Sequence, residues 1–208
     1  SKTGGYQGMI EYIPGIYAHR PVEAKKYMFI HCIFVGFKKE YKGKGLASSL
    51  INECIRDAKD LKMNGVAVVT RKGSFMAGKG IFMKMGFVVT DKTKPDFELL
   101  ALKFNPETDS PKFRDMSPEK YRNGLTILRS PQCPYSVKNV DAMIQTAKRM
   151  NIPAEIIDLK DSESAQSSPC PFGTFCIIYE GEIISHHPIS NTRFENIMKT
   201  KKIPDDLT

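Results

Sequence analysis

The segment best suited to chemistry is a loop rich in glycine and lysine, Lys42-Gly43-Lys44-Gly45-Leu46-Ala47, which follows Lys38 and Lys39. It joins a predicted buried strand to a predicted amphipathic helix. Glycine lets the backbone approach an anion closely, and the first turn of a helix offers N–H groups and the positive end of its dipole. The pattern therefore predicts a diphosphate site. It matches neither a Walker loop nor a Rossmann fingerprint, and a flexible basic turn is the alternative.

A second reactive group is the thiol of Cys133, which precedes Pro134-Tyr135-Ser136 between a predicted strand and a predicted helix. The positive end of a helix dipole favours a nearby thiolate, so this placement predicts a reactive cysteine. A structural thiol without a redox role is the alternative.

The cysteines are odd in number and scattered along the chain: Cys32, Cys54, Cys133, Cys170 and Cys176. They form no Cys-x-x-Cys pair, and His186 and His187, as neighbours on a predicted strand, point to opposite faces. We therefore expect neither a disulfide framework nor a metal site. The same cysteine usage predicts a cytoplasmic location, where thiols stay reduced.

The elements that position these groups follow from the spacing of apolar residues. The helix after the loop carries apolar residues every three to five positions: Leu46, Leu50, Ile51, Ile55, Ala58 and Leu61. In the first half of the chain, strands are predicted over residues 8–17, 27–35, 66–70, 87–89 and 97–104, with a second helix over 75–85. For the first of these strands, a break at Pro14-Gly15 stays open. In the second half, strands are predicted over 125–129, 154–159, 175–179 and 182–186, with helices over 136–150 and 191–199.

A linker is predicted over residues 106–123, where prolines and charges are frequent and aliphatic residues are few. It separates a domain of residues 1–105 from a smaller domain of residues 124–208. The smaller domain has the order β-α-β followed by β-β-α. Both domains mix helices and strands, so the predicted fold class is α/β (α+β).

The positive charge of the chain lies in its first half. Residues 1–105 carry 18 basic and 9 acidic side chains, whereas residues 106–208 carry 13 and 14. This field attracts an anionic ligand. We do not expect nucleic acid, because the lysines cluster at the loop and no aromatic stacking module accompanies them. No apolar run reaches the length needed to span a membrane.

The loop resembles the pyrophosphate-binding element of the GNAT superfamily, Gln/Arg-x-x-Gly-x-Gly/Ala, with Lys42 where Gln or Arg is usual. About 40 residues later, Phe82-Met83-Lys84-Met85-Gly86-Phe87 resembles the Tyr-x-Lys-x-Gly-Phe signature of the same superfamily. The resemblance implies a mixed central sheet that binds acetyl-coenzyme A between the strands at 27–35 and 66–70. Pantetheine would add to the first strand as an extra strand. The residues placed against the coenzyme are Ile33, Phe34, Val35, Lys42, Gly43, Lys44, Gly45, Leu46, Ala47 and Phe82.

Two features depart from the superfamily pattern. Phe82 stands where many members carry a tyrosine that protonates the departing thiolate, and phenylalanine cannot donate a proton. In addition, only one or two strands precede residues 27–35, where the superfamily has a further strand and two helices. These elements are expected to be missing. A partner chain could complete the fold, so a homo-oligomer stays open.

Acyl transfer needs a base that takes a proton from the acceptor amine. The candidates near the expected cleft are Glu11, His31 and Cys32, of which we choose Glu11 and Cys32 as catalytic residues. His31 and Cys32 are neighbours on one strand, so we expect only one of them to face the cleft. Ordinary structural roles stay open for all three.

The second domain resembles the thioredoxin and glutaredoxin superfamily, whose motif Cys-Pro-Tyr-Cys or Cys-Pro-Tyr-Ser matches residues 133–136. Gly173 stands where that superfamily usually has a proline. The loop that matches this part of the superfamily, residues 169–175, implies that Cys170 lies beside Cys133 and forms a disulfide with it. The two domains together resemble the YoaP-type bacterial acetyltransferases. This resemblance implies an enzyme, an N-acetyltransferase that uses acetyl-coenzyme A, no metal, and a small-molecule or peptide amine as acceptor. A coenzyme A binding sensor without turnover and a thiol redox protein centred on Cys133 are the alternatives.

Overall fold

The computed structural model describes residues 7–36, 41, 43–73 and 75–202. The chain divides into two compact units. The first comprises Ser1–Ala18 and Val22–Arg114, and the second comprises His19–Pro21 and Asp115–Thr208. The division lies inside the segment predicted to be a linker, whose first part belongs to the first unit. There, strand β7 (Lys112–Phe113) pairs with strand β2 (Val22–Glu23) as a small antiparallel ribbon.

The first unit is built on a mixed sheet of five strands. Its strands are β1 (Gly8–Pro14), β3 (Tyr27–Val35), β4 (Gly65–Thr70), β5 (Val88–Thr93) and β6 (Phe97–Lys103). Their order in the sheet is β1-β3-β4-β6-β5. Only the pair β3 and β4 is parallel, while the other neighbours are antiparallel. The predicted α/β class is confirmed, and the strand over residues 27–35 has its predicted bounds.

Helix α1 (Leu46–Asp60) crosses between the parallel strands and covers one face of the sheet. Its buried residues Ile51, Cys54 and Ala58 follow one stripe, as the apolar spacing predicted. They join a core that includes Met28 and Ile30 of β3. Because Cys54 is buried and lies near Asp57, its pKa is raised to about 12.

Helix α2 (Gly80–Lys84) is much shorter than the predicted helix over residues 75–85. Phe75 has a φ of 69°, a left-handed conformation that an α-helix cannot contain, and Gly78 adds flexibility before the helix begins at Gly80. Strand β1 ends at Pro14, at the break that the sequence left open, and a single turn of 3₁₀-helix follows over Gly15–Tyr17.

The second unit has its own mixed sheet of four strands. Its strands are β8 (Leu125–Arg129), β9 (Ala154–Asp158), β10 (Phe175–Tyr179) and β11 (Glu182–Ser185), and its helices are α3 (Val140–Arg149), α4 (Ser162–Gln166) and α5 (Asn191–Lys202). The sheet order is β11-β10-β8-β9, with β8 and β9 parallel and the remaining pairs antiparallel. The predicted hairpin at Glu180-Gly181 is confirmed, since both residues have the positive φ of a tight turn.

Helix α3 begins later than predicted, and this changes the surroundings of Cys133. Residues 131–139 form turns, and Asn139, with a φ of 68°, precedes the first helical residue, Val140. The Ser136 hydroxyl donates to the carbonyls of Ser130 and Cys133, so it stabilises these turns instead of a helix. The prediction that Cys133 lies at a helix N-terminus is therefore wrong.

The segment before β10 packs tightly against His19–Pro21 within the second unit. Gly173 has a φ of 76°, and a Cβ at this position would lie 2.3 Å from the carbonyl oxygen of His19. The buried guanidinium of Arg20 donates to the Phe172 carbonyl and lies 5.2 Å from the centre of that ring. Glycine is therefore required at this position. In the part of the chain that the structure describes, no helix is long and apolar enough to cross a membrane.

Candidate active site

A β-bulge shapes the pairing of β1 with β3. Glu11 pairs with Cys32, and the next residue, Tyr12, pairs with Ile30, so His31 is an extra residue without a position in the ladder. Before the bulge, Ile30 points into the core under α1. After it, Ile33 packs against the same core. The alternation of faces along β3 therefore changes at His31.

The bulge brings Glu11, His31 and Cys32 to one face of the sheet, opposite α1. Residues directly opposite in an antiparallel pair share a face, which places Cys32 with Glu11. The Glu11 Oε1 atom lies 3.5 Å from His31 Nδ1, and the side chains are 40% and 3% exposed, respectively. The expectation that His31 and Cys32 face opposite sides is wrong, because an inserted residue interrupts strict alternation.

The parallel strands β3 and β4 diverge beyond the bulge. Their described ladder runs from the pair Tyr27 and Gly65 to the pair Ile30 and Val68. Strand β3 then continues to Val35 along β1, while β4 continues to Thr70 along β6. The sheet thus opens between residues 31–35 and 69–70. An extended ligand could lie along this edge of β3, where Ile33, Phe34 and Val35 were predicted to meet pantetheine.

The glycine-rich loop leads from this opening into α1. Gly43 and Gly45 both have a φ of 72°, and a Cβ at either position would meet no atom of the described residues within 4 Å. Gly45 caps α1, and no acidic residue lies in the first turn of the helix. The N–H groups of Leu46 and Ala47 belong to the first helical turn, whose donors have no partners inside the helix. This cradle fits a diphosphate. Lys42 lies outside the described residues, as do Lys38 and Lys39.

A charged cleft of about 580 Å³ lies at the carboxyl end of β4. Arg71 lies over the ring of Phe97 and pairs with Asp96 at 2.8 Å, and its Nε and Nη1 have no hydrogen-bond partner among the described residues. Lys79 pairs with Glu98 at 2.8 Å, and this hydrogen bond lowers the pKa of the Glu98 carboxyl. The cleft therefore suits a polar ligand.

Comparison with known proteins gives findings for both halves of the chain. The model of the acetyltransferase (GNAT) family matches residues 7–87, and a YoaP-like family model matches residues 153–196. The uncharacterised N-acetyltransferase YoaP of Bacillus subtilis (strain 168) is 32% identical over 195 residues, which cover 92% of this chain and 77% of that protein. The chain belongs to the GNAT family of N-acetyltransferases.

A solved structure, described as a streptothricin acetyltransferase from Bacillus anthracis str. Ames in complex with acetyl coenzyme A, is 22% identical with a TM-score of 0.39. The match covers 50% of this chain and 59% of that chain. The prediction of an N-acetyltransferase that depends on acyl-coenzyme A is confirmed by the family. Acetyl-coenzyme A is thus the expected donor, and the opened sheet and the glycine cradle fit it.

Phe82 of this GNAT protein lies inside the core and not on the surface of the opening. Its side chain is fully buried, and its ring meets that of Phe87 edge to face at 5.5 Å between centres. The ring packs α2 onto the sheet. Met83 beside it is exposed. The structure therefore gives Phe82 a packing role, and contact with the coenzyme stays a prediction.

The thiols predicted for redox chemistry have different surroundings. Cys133 is half-buried in the turns before α3, and Cys170 is fully buried. The Cys170 sulfur lies 3.2 Å from His186 Nδ1, and the neighbouring Cys170, together with burial, raises the pKa of the Cys176 thiol. All five cysteines are thiols. Among residues 7–36, 41, 43–73 and 75–202, no group of three acidic, histidine or cysteine residues could hold a metal.

Two pairs of neighbouring side chains were not predicted from the sequence. The contact between Glu11 and His31 depends on the bulge, and nothing in the spacing of β3 residues indicates an inserted residue. Cys176 was counted but not assigned a partner. Its position two residues into a predicted strand after the loop of Cys170 is the signal that could have suggested their contact.

Proposed function

We propose that the first unit transfers an acetyl group from acetyl-coenzyme A to a small-molecule or peptide amine, with Glu11 as the general base. The observation that carries this proposal is the 3.5 Å approach of Glu11 to His31 beside Cys32, on the sheet face next to the opening between β3 and β4. Bound acetyl-coenzyme A supplies the acetyl group as a thioester. The remaining steps depend on residues of this chain.

The cradle and the edge of β3 would hold the coenzyme. The N–H groups of residues 43–47 would bind its diphosphate, supported by the open space at Gly43 and Gly45 and by the N-terminus of α1. The backbone of residues 33–35 would bind pantetheine in the manner of an added strand, supported by the end of the ladder at Ile30. Lys42 would add charge to the cradle.

Glu11 would remove the proton that an attacking amine must lose. Its side chain is 40% exposed and can reach a ligand, whereas His31 is 3% exposed and lies against it. His31 would therefore fix the orientation of the carboxylate, in the way that a base is oriented by a third group in other acyl-transfer sites. Cys32 is exposed and directly opposite Glu11, so it would border the acceptor. If Cys32 is the base instead, Cys32→Ala abolishes turnover.

The departing thiolate would leave without a proton from the position of Phe82. The burial of this ring in the core supports that part of the proposal. The same observation favours the second candidate function, a sensor that binds coenzyme A without turnover. The two functions differ in one result, namely whether an amine is acetylated.

The second unit would have a thioredoxin-like fold. Support comes from its sheet order β11-β10-β8-β9, from the single parallel pair β8 and β9, and from helix α3 in the connection between them. The five thiols support a reducing, cytoplasmic location.

The experiment compares Glu11→Gln with wild type in a screen of amine acceptors. We expect kcat to fall by about 100-fold or more, which is the usual contribution of a general base, while the Kd for acetyl-coenzyme A is unchanged. Glu23→Gln is the matched control, since Glu23 is also on a strand and in an exposed ion pair, with Lys112 at 3.2 Å. Unchanged turnover in Glu11→Gln would reject Glu11 as the base.

A further inference from the structure

A buried group of three side chains lies in the second unit, apart from the residues assigned to acetyl transfer. Cys170 precedes β10, Cys176 is on β10, and His186 directly follows β11. The Cys170 sulfur lies 3.2 Å from Nδ1 and 3.8 Å from the backbone oxygen of His186. Cys176 directly precedes Ile177, whose partner on β11 is Ser185, the residue before His186, and both cysteine side chains are fully buried. The strand pairing and the Cys170 contact thus bring both cysteines next to His186.

The surroundings of the two thiols shift their pKa values in opposite directions. Burial by itself would raise the pKa of Cys170. The neighbouring Cys176, the contact with His186 and its charge, and the backbone of Phe172 outweigh burial, so the pKa of Cys170 is lowered. Burial and the neighbouring Cys170 raise the pKa of Cys176 well above its ordinary value. Cys170 is thus the more acidic thiol of the pair, and a lowered pKa favours the nucleophilic form that thiol–disulfide chemistry needs.

Cys54 shows what burial does without such partners. It is as fully buried as Cys170, and burial, with the nearby Asp57, raises its pKa to about 12. A buried thiol of this kind is inert. Cys54 is therefore an internal control for the reactivity of Cys170 in the same chain.

We propose that Cys170 and Cys176 are a redox-active pair that a hydroperoxide oxidises to an intramolecular disulfide, with His186 as the positioning residue. This inference does not depend on the acetyltransferase activity. It also differs from the sequence-based hypothesis, in which Cys133 is the reactive thiol and Cys170 its partner.

The reaction balances in two steps. In the first step, Cys170 gives its proton to His186 and attacks one oxygen of hydrogen peroxide as a thiolate. The S–O bond forms and the O–O bond breaks, which leaves Cys170 as a sulfenic acid. The departing hydroxide takes the proton from His186 and becomes water. The sulfur of Cys176 then attacks the sulfur of Cys170. The S–S bond forms, the S–O bond breaks, and water leaves with the proton of the Cys176 thiol. Overall, two thiols and one peroxide give one disulfide and two waters.

The partial exposure of His186 indicates the side from which an oxidant reaches the buried sulfurs. Both sulfurs are buried, but His186 is partly exposed and contacts Cys170. Hydrogen peroxide is close to water in size, so a small local opening at His186 is sufficient. A bulky alkylating reagent should react with Cys170 much more slowly than hydrogen peroxide does.

The test treats the reduced full chain with hydrogen peroxide, then unfolds it, alkylates the remaining thiols and digests it with trypsin. Cleavage after lysine and arginine puts Cys170 and Cys176 in one peptide, residues 161–193, while Cys133 falls in 130–138 and Cys54 in 45–56. We expect peptide 161–193 to escape alkylation and to be lighter by two hydrogen atoms, with fragment ions that join the two cysteines. Reduction with dithiothreitol should restore both thiols, and Cys54 should be alkylated throughout.

Other products of the same digest would overturn the proposal. A link between peptides 130–138 and 161–193 would make Cys133 the partner of Cys170. Full alkylation of Cys170 and Cys176 after Cys133 has been oxidised would show that the buried pair is inert. In Cys176→Ser, the oxidation should stop at a sulfenic acid on Cys170, which dimedone traps.

The role of His186 has its own readout. In His186→Gln, disulfide formation at neutral pH should be about tenfold slower, because a hydrogen bond to the charged thiolate is lost. The pH midpoint of the rate should also move upward, since the groups acting on the charge of Cys170 are Cys176, His186 and the backbone of Phe172. An unchanged rate and midpoint would reject His186 as the positioning residue.

Discussion

A carboxylate at Gly45 should weaken the binding of acetyl-coenzyme A, because it would face the diphosphate in the glycine cradle. No atom in the part of the chain that the structure describes lies within 4 Å of a Cβ at Gly45, so a new side chain there meets no described neighbour. Two negative charges about 5 Å apart repel each other by roughly 1 to 3 kcal/mol, depending on how much water lies between them. The Kd should therefore rise by about 5-fold to 150-fold.

Three variants separate charge from backbone strain. Gly45 has a φ of 72°, so Gly45→Gln introduces the same strain and size as Gly45→Glu without the charge. Gly86→Glu adds the same charge at another exposed glycine with a positive φ, 88°, after α2. Isothermal calorimetry of acetyl-coenzyme A binding should show a large loss only in Gly45→Glu. The difference between the Glu and Gln variants should shrink as salt is added.

Two results would refute this reasoning. If Gly45→Glu and Gly45→Gln bind equally well, the diphosphate does not lie near the cradle. If Gly86→Glu weakens binding as much as Gly45→Glu, the effect comes from net charge or from folding and not from a local contact.

Further predictions concern stability. Gly173→Ala should lower the free energy of unfolding by more than about 2 kcal/mol, because the φ of 76° and a contact at 2.3 Å both oppose a Cβ. Gly78→Ala is the control, since no described atom lies near its Cβ, and its midpoint of thermal unfolding should be almost unchanged. Tyr12→Phe should lower the free energy of unfolding by about 1 kcal/mol, because it removes the hydrogen bond that the Tyr12 hydroxyl donates to Asp57 at 2.5 Å. This hydrogen bond raises the pKa of Tyr12 to about 12, so its stabilisation should be present below the ordinary tyrosine pKa and be lost as pH rises through 12, which phenolate absorbance can follow. Phe82→Tyr should destabilise the chain by about 1 to 3 kcal/mol and should not raise kcat, since its hydroxyl would enter an apolar core.

The elements that depend on local spacing were predictable from the sequence. Helix α1 and strand β3 follow from apolar patterns that continue over nine or more residues, and the tight turn at Glu180-Gly181 follows from its composition. The start of α3 was not predictable in the same way. The left-handed Asn139 and the side-chain bonds of Ser136 end a pattern that otherwise reads as a continuous helix.

The candidate site was predicted in part for a similar reason. The glycine cradle is a local feature of one loop, and its residues occupy the predicted junction with α1. The contact between Glu11 and His31 and the contact between Cys170 and His186 each join separate strands or segments. Their geometry depends on a bulge and on strand pairing, which a single sequence does not encode in its spacing.

The most direct test of whether the protein acetylates an amine is an analysis of its products. Wild-type protein is incubated with acetyl-coenzyme A carrying a labelled acetyl group and with a mixture of small-molecule and peptide amines, and the products are examined by mass spectrometry. Our account predicts a labelled N-acetyl product in a one-to-one ratio with released coenzyme A, and its loss in Glu11→Gln but not in Glu23→Gln. Tight binding of acetyl-coenzyme A without any labelled amine would contradict it and would leave a binding protein in place of an enzyme.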